Sequence, residues 1–175
     1  VKRVLIINSF SAQSSPADVF GSQFRADLAQ QVRTPIAFYE TSLDGARFNP
    51  ARDTAAFVRF LRERFADVEP ELVVPIGPLA AQFYAQNREQ LFPRVPMLVA
   101  VAEQRVMQSI TLGPNDGSLS LSLDIRKLFE NILQLQPDTQ RIVVVVGDAP
   151  IERYWGQVTQ QVAAAFSGRV TIELM

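Results

Sequence analysis

The stretch from Glu71 to Ala102 constrains the fold more than any other part of the chain. Leu72–Ile76 is a short apolar run without polar alternation, which is how a strand buried on both faces reads. Gly77-Pro78 stops it, and Pro78 suits the first turn of a helix, where its missing N–H costs nothing. Ala80, Phe83, Tyr84 and Leu91 follow at roughly helical spacing, with Gln82, Gln86, Arg88 and Glu89 as the wet side. Pro93 and Pro96 close that helix, and Met97–Val101 is a second buried strand. Strand, helix and strand within about thirty residues make a βαβ unit, a crossover that is almost always right-handed. The spacing therefore predicts an α/β chain built on a doubly wound parallel sheet, with function at the carboxyl ends of its strands.

The remaining sequence extends this pattern. Val4–Ile7 is an apolar run ending in Asn8-Ser9-Phe10, and Ser15-Pro16 with Asp18 reads as a helix start. Phe20, Phe24, Leu28 and Val32 carry that helix's apolar face, and Ile36–Glu40 is the next strand. Thr41–Pro50 reads as a loop containing Asp44-Gly45, and Thr54–Val68 as the clearest helix. After Val101 come a short helix within Glu103–Ser109 and a turn cluster at Leu112–Gly117. Ser118–Leu123 alternates strictly, which predicts a strand with one wet face. A helix with Ile125, Leu128, Phe129, Ile132 and Leu133 inward leads to Arg141–Val146, the most apolar strand. A helix opened by Pro150 places Ile151, Trp155, Val158, Val162 and Phe166 inward, and Arg169–Leu174 is the last strand.

Composition narrows the chemistry. The chain has no Cys and no His, which removes cysteine nucleophiles, Cys/His zinc sites and any His-containing triad. A net charge of −1 gives no electrostatic case for nucleic acid or a membrane surface. No apolar run reaches the roughly 18–20 residues of a membrane span. A start at Val1 rather than Met is what a trimmed chain would show, so a signal or anchor could have preceded it. Neither a dinucleotide fingerprint, a phosphate loop nor a Gly-x-Ser-x-Gly elbow is present, so no catalytic residue, metal or cofactor is assigned.

The strand ends carry small or polar residues: Asn8 and Ser9, Thr41 and Ser42, Gly77, Ala102 and Glu103, Gly147 and Asp148. Together they are read as the rim of a crevice into which helix N-termini point free N–H groups. Each alone is better explained as a cap or turn residue. Asp44, Asp53, Asp67, Glu103 and Asp148 show no spacing that fixes a catalytic carboxylate pair. Glu40, Asp44, Glu103 and Asp148 would suit an amine, and Phe10 and Tyr39 an apolar or aromatic group.

The order of pieces then resembles a known family. Val-Leu-Ile-Ile-Asn-Ser-Phe at the start, Tyr-Glu-Thr-Ser-Leu-Asp followed by Arg47-Phe48, and Pro70-Glu-Leu-Val-Val-Pro-Ile-Gly form one series. Gln90-Leu-Phe-Pro-Arg-Val-Pro-Met, Asp124 and Leu135-Gln-Pro-Asp-Thr-Gln-Arg-Ile-Val-Val-Val continue it. The series is similar to the type I periplasmic-binding-protein-like, ABC-transporter substrate-binding components, above all the extracytoplasmic sensor domains of bacterial histidine kinases. The resemblance implies two α/β lobes enclosing a small-molecule ligand and signalling by lobe closure. It implies a first lobe at 1–117 and a crossover with a partial second lobe at 118–175. The ligand-binding positions it implies are Ser9, Phe10, Thr41, Gly77 and Glu103 from the first lobe and Asp148 from the second. A periplasmic or extracytoplasmic location follows, as part of an inner-membrane protein whose parent chain carries any kinase activity. The alternative is the soluble substrate-binding component of an ABC transporter; a third class, a carboxylate or metal enzyme, is weakened by the missing His. A small two-stranded second lobe has open strand edges, so a homodimer is expected ahead of docking onto the first sheet.

Overall fold

The computed structural model describes residues 1–11, 17–45, 47–148 and 150–175. The Ser15-Pro16 helix start and the side chain of Ile151 lie outside the described residues. The chain divides into two units, Val1–Ser122 and Leu123–Met175.

In the first unit five strands form one sheet: β1 (Lys2–Asn8), β2 (Ile36–Ser42), β3 (Leu72–Ile76), β4 (Leu98–Glu103) and β5 (Gly117–Leu121). Their order is β2-β1-β3-β4-β5 and every neighbouring pair is parallel. Helix α1 (Ala17–Gln31) covers one face. Its Phe20, Phe24 and Leu28 pack on the even-numbered side chains of β1 and β3, Val4, Ile6, Val74 and Ile76. Helices α2 (Pro50–Arg64), α3 (Pro78–Leu91) and the single turn α4 (Gln104–Met107) lie on the other face, over Leu5, Ile7, Val73 and Val99. Burial on both faces is why these strands read as unbroken apolar runs. The expected doubly wound parallel sheet is therefore the observed one.

Pro75 sits in a central strand, where a proline is unusual, because it has no N–H to give the ladder. Val73 N–H reaches Pro96 O at 3.0 Å and Gly77 N–H reaches Ala100 O at 2.8 Å, so the unmade rung toward β4 is that of Pro75. Helix α2 begins four residues before the expected Thr54 and ends at Arg64 rather than Val68. Its start is capped in both directions: the Asn49 side chain accepts from Ala51 N–H, and Asp53 accepts from Asn49 N–H, with Pro50 in the first turn. The Arg52 hydrogen bond, aided by that backbone N–H, holds the Asp53 pKa down at about 2.

Two further expectations are corrected. Arg88 is not on the wet side of α3: its guanidinium donates to both carboxylate oxygens of Asp116, at 2.5 and 3.0 Å, and to Val95 O. The Asp116 side chain is 1% exposed and also accepts from Met97 and Gly113 N–H, which ties the turn at 113–116 to the start of β4. The strand after that turn is not a crossing segment. Gly117–Leu121 pairs with β4 as the fifth strand of the first sheet, so the first unit runs five residues past 117. Its leucines are not buried either; Leu119 is 54% exposed, because β5 is an edge strand at the margin of the cover that α1 provides.

The second unit contains α5 (Ile125–Leu135), β6 (Arg141–Val144), α6 (Pro150–Ala163), a 3₁₀ turn (Ala164–Phe166) and β7 (Thr171–Leu174). Asp124 caps α5 by accepting from Lys127 N–H. The two strands pair in parallel, and a small core of Phe129, Leu133, Phe166 and Val170 packs on Ile142, Val144 and Ile172. The β6 run, the most apolar in the sequence, nevertheless turns Val143 outward, and Val145 beyond it is 80% exposed. Trp155 is half-buried, its ring edge-on to Tyr154, rather than a member of that core.

Candidate functional site at the strand carboxyl ends

The order β2-β1-β3 places the topological switch between β1 and β3, where the chain's crossovers leave in opposite directions. Ligands of open α/β sheets bind outside the carboxyl ends at that point. Ser9 and Gly77 stand there, one residue past the ends of β1 and β3.

Ser9 is 1% exposed. Its Oγ donates to Ile76 O and accepts from Ala80 N–H, both at 2.9 Å, so one hydroxyl pins the end of β1 to the first turn of α3. Gly77 has φ 86° and ψ 170°, a region that side chains other than glycine's essentially never adopt. A Cβ there would lie 2.6 Å from Ser9 Oγ. The chain has no freedom at this position, and the two residues are interlocked.

The second loop is stitched to the first. Leu43 N–H donates to Asn8 O and Gly45 N–H to Ser9 O, while Ser42 Oγ donates to Phe10 O. Gly45 allows this approach: a Cβ on it would meet Ser9 O at 2.8 Å and the Phe10 ring at 3.0 Å. Phe10 keeps 37% of its surface exposed beside this loop. On the α1 side, Asn8 donates to Glu40, whose other oxygen takes Arg25 at 2.7 Å. Thr41 is half-buried on β2, opposite Ile7. Glu103 ends β4 with its side chain 13% exposed and Arg105 at 3.8 Å.

The structure thus joins Ser9, Phe10 and Gly77 in one hydrogen-bonded cluster and puts Thr41 and Glu103 on the same edge of the sheet. Asp148 belongs to the second unit, with its carboxylate on Arg153. Ser42, Asp44 and Gly45 complete the first-unit rim; the sequence marked Ser42 as a strand-end residue and Asp44 as a group suited to an amine, and did not single out Gly45. The backbone of the Asp44-Gly45 pair was legible only as a loop, although Asp44 carries φ 52°. Tyr39 and Phe48 are spent in packing: Tyr39 meets Phe65 edge-on under Arg64, and Phe48 meets Phe57 and Phe83.

One chemical expectation fails. The N-terminus of α3 does not present a fan of free donors. Gly77 N–H is on Ala100 O, Pro78 has none, Ala80 N–H is on Ser9 Oγ and Ala81 N–H is on Gly77 O. Among the described residues only Leu79 N–H of that turn has no acceptor. An anionic ligand group gains little there, because the protein satisfies the turn itself. Among the described residues no group of three or more Asp or Glu side chains could hold a metal ion. No helix among them is long and apolar enough to cross a membrane. A groove of about 750 Å³ opens between α2 and α3, lined by Arg59, Arg62, Phe65 and Leu91. It runs to the carboxyl end of α3, away from the switch point, and does not belong to this site.

This parallel α/β fold is the one seen in solved substrate-binding proteins. Solved structures of that kind match essentially the whole chain. A Streptococcus pneumoniae ABC domain in complex with L-Trp is 17% identical with a TM-score of 0.66, over 99% of this chain and 56% of that one. A ligand-free, open substrate-binding protein with adhesive properties from Clostridium difficile is 15% identical, TM-score 0.62, over 100% and 57%. An R. palustris ABC-transporter solute-binding protein in complex with 4-hydroxybenzoate is 17% identical, TM-score 0.56, over 99% and 46%. The chain spans about half the length of the structures it matches. No protein-family model and no curated protein matches the sequence.

Proposed function

We propose that this chain is the ligand-recognising part of an extracytoplasmic sensor of a bacterial two-component histidine kinase. It binds a small organic molecule at the carboxyl edge of the first sheet, around Ser9, Phe10, Thr41, Gly77 and Glu103. Binding shifts the population between two conformations, and a parent membrane protein transmits that shift. The observation that carries the reading is the interlock at the β1/β3 switch point: a buried serine and an obligatory glycine build a rigid rim where such folds take ligands. The matched binding proteins, two of them holding small molecules, support it.

The structural likeness favours the transporter reading equally, in which the same edge serves a soluble solute-binding component. Reading the gene downstream of Met175 separates the two: a membrane span and kinase domain favour the sensor, and a stop after a completed second lobe favours the transporter. In the same proposal two copies of the chain pair; a strictly monomeric protein in sedimentation across a concentration series would remove that part. Ligand binding itself is tested by thermal shift against a library of small molecules. A ligand at 100 times its dissociation constant adds about 2.7 kcal/mol, an easily seen rise in melting temperature.

A further inference from the structure

Val101 has φ 55°, in the left-handed region. For a β-branched residue inside a strand this is a true outlier, and such strain persists only where the surroundings impose it. It coincides with a bulge: Ala100 pairs with Leu119 and Ala102 with Ser120, so Val101 is the extra residue of β4. Bulges re-aim the side chains that follow them.

The effect can be followed from face to face. In a regular strand Val99, Val101 and Glu103 would share one side of the sheet. Here Val99 and Ala102 lie in the core under α2 and α3, while Leu98, Ala100 and Val101 lie in the core under α1. Glu103 then falls opposite Leu121, two residues on from Leu119, whose partner is Ala100. The bulge has moved Glu103 off the face of the apolar α2/α3 core and onto the face that carries Asn8 and Glu40 at the same edge.

We propose that Val101 is a positioning residue, whose strained bulge aims the Glu103 carboxylate into the carboxyl-edge site to meet a cationic ammonium group of the ligand. This rests on the ligand-binding reading above and adds a charge class to it. Most N–H groups at the start of α3 are taken up within the protein, so that helix start offers little to an anion at the switch point.

The test is calorimetric titration of the full chain with L-tryptophan, which carries an ammonium, and with 4-hydroxybenzoate, which does not. Wild type should bind L-tryptophan the more tightly. Glu103→Gln should weaken it about tenfold, the size of one charge-assisted hydrogen bond. Val101→Pro, whose φ is locked near −65°, should weaken it as much, and the double variant no further than either. Val101→Gly takes the same backbone without strain, so it should melt at a higher temperature and rescue L-tryptophan binding. The inference is overturned if folded Val101→Pro or Glu103→Gln binds as wild type does, or if their losses multiply. If Val101→Pro fails to fold, unchanged binding by Glu103→Gln or an unraised melting temperature for Val101→Gly overturns it. Wild type binding neither compound overturns it too, while the functional reading is then decided separately by the thermal-shift screen against the wider library.

Discussion

Two single residues hold the first unit together in ways that can be measured. Gly77→Ala places a methyl group 2.6 Å from Ser9 Oγ in a backbone region reserved for glycine, and should cost about 3 kcal/mol. Adding Ser9→Gly should return only part of that in chemical denaturation, since it relieves the clash and not the dihedral strain. Because of this, loss of binding in a Gly77 variant would report on the scaffold rather than on ligand contact. At the opposite edge, burial alone would raise the Asp116 pKa, but the Arg88 hydrogen bonds and the Gly113 and Met97 N–H groups outweigh it and the net shift is downward. A carboxyl depressed in the folded state gives stability above its unfolded pKa and loses it as pH falls through the folded one. Asp116→Asn should therefore cost about 3 kcal/mol at pH 7. Melting curves between pH 7 and 2 should show the gap between wild type and variant closing below about pH 4. A gap independent of pH would show that the pair contributes no charge-dependent stability.

At the scale of elements, the parallel sheet was legible because strands buried on both faces leave unbroken apolar runs. Leu72–Ile76 was readable to the residue for that reason. The start of α2 was legible too, in Asn49-Pro50-Ala51-Arg52-Asp53, but the apolar stripe beginning at Phe57 drew the boundary inward. Asn49→Ala should lower stability by about 1 kcal/mol, measured by urea denaturation, with the loss confined to this cap. Long-range pairing was not legible. Nothing local in Arg88 foretells a partner 28 residues away, nor does the Ser-Leu alternation of β5 say that its leucine side will meet water at a sheet edge. The bulge at Val101 was hidden for the same reason, since Val-Ala-Val-Ala reads as a regular strand.

On the whole-molecule scale, the site was legible as a location and not as chemistry. Ser9, Thr41, Gly77 and Glu103 could be placed on one edge because small and polar residues after apolar runs mark strand ends, and a parallel sheet gathers those ends; Phe10 joined the proposed set through the resemblance. Sequence could not show that the Ser9 hydroxyl and the α3 donors are consumed by each other. The two units also differ in what sustains them. Val1–Ser122 has apolar cores on both faces of a five-stranded sheet, whereas Leu123–Met175 relies on one small cluster. A fragment ending at Ser122 should therefore fold cooperatively alone in calorimetry, while the isolated second unit should be marginal at best.

The central claim, a small-molecule site at the carboxyl edge of the first sheet, is tested most directly by amide chemical-shift mapping. The isotope-labelled chain would be titrated with whichever compound raises its melting temperature in the ligand screen. The account predicts that the largest perturbations fall on Phe10, Asp44, Gly45, Leu79 and Glu103, with the turn at 113–116 unmoved. Perturbations centred on Arg94 and Gly113–Asp116, at the amino edge of the sheet, would contradict it.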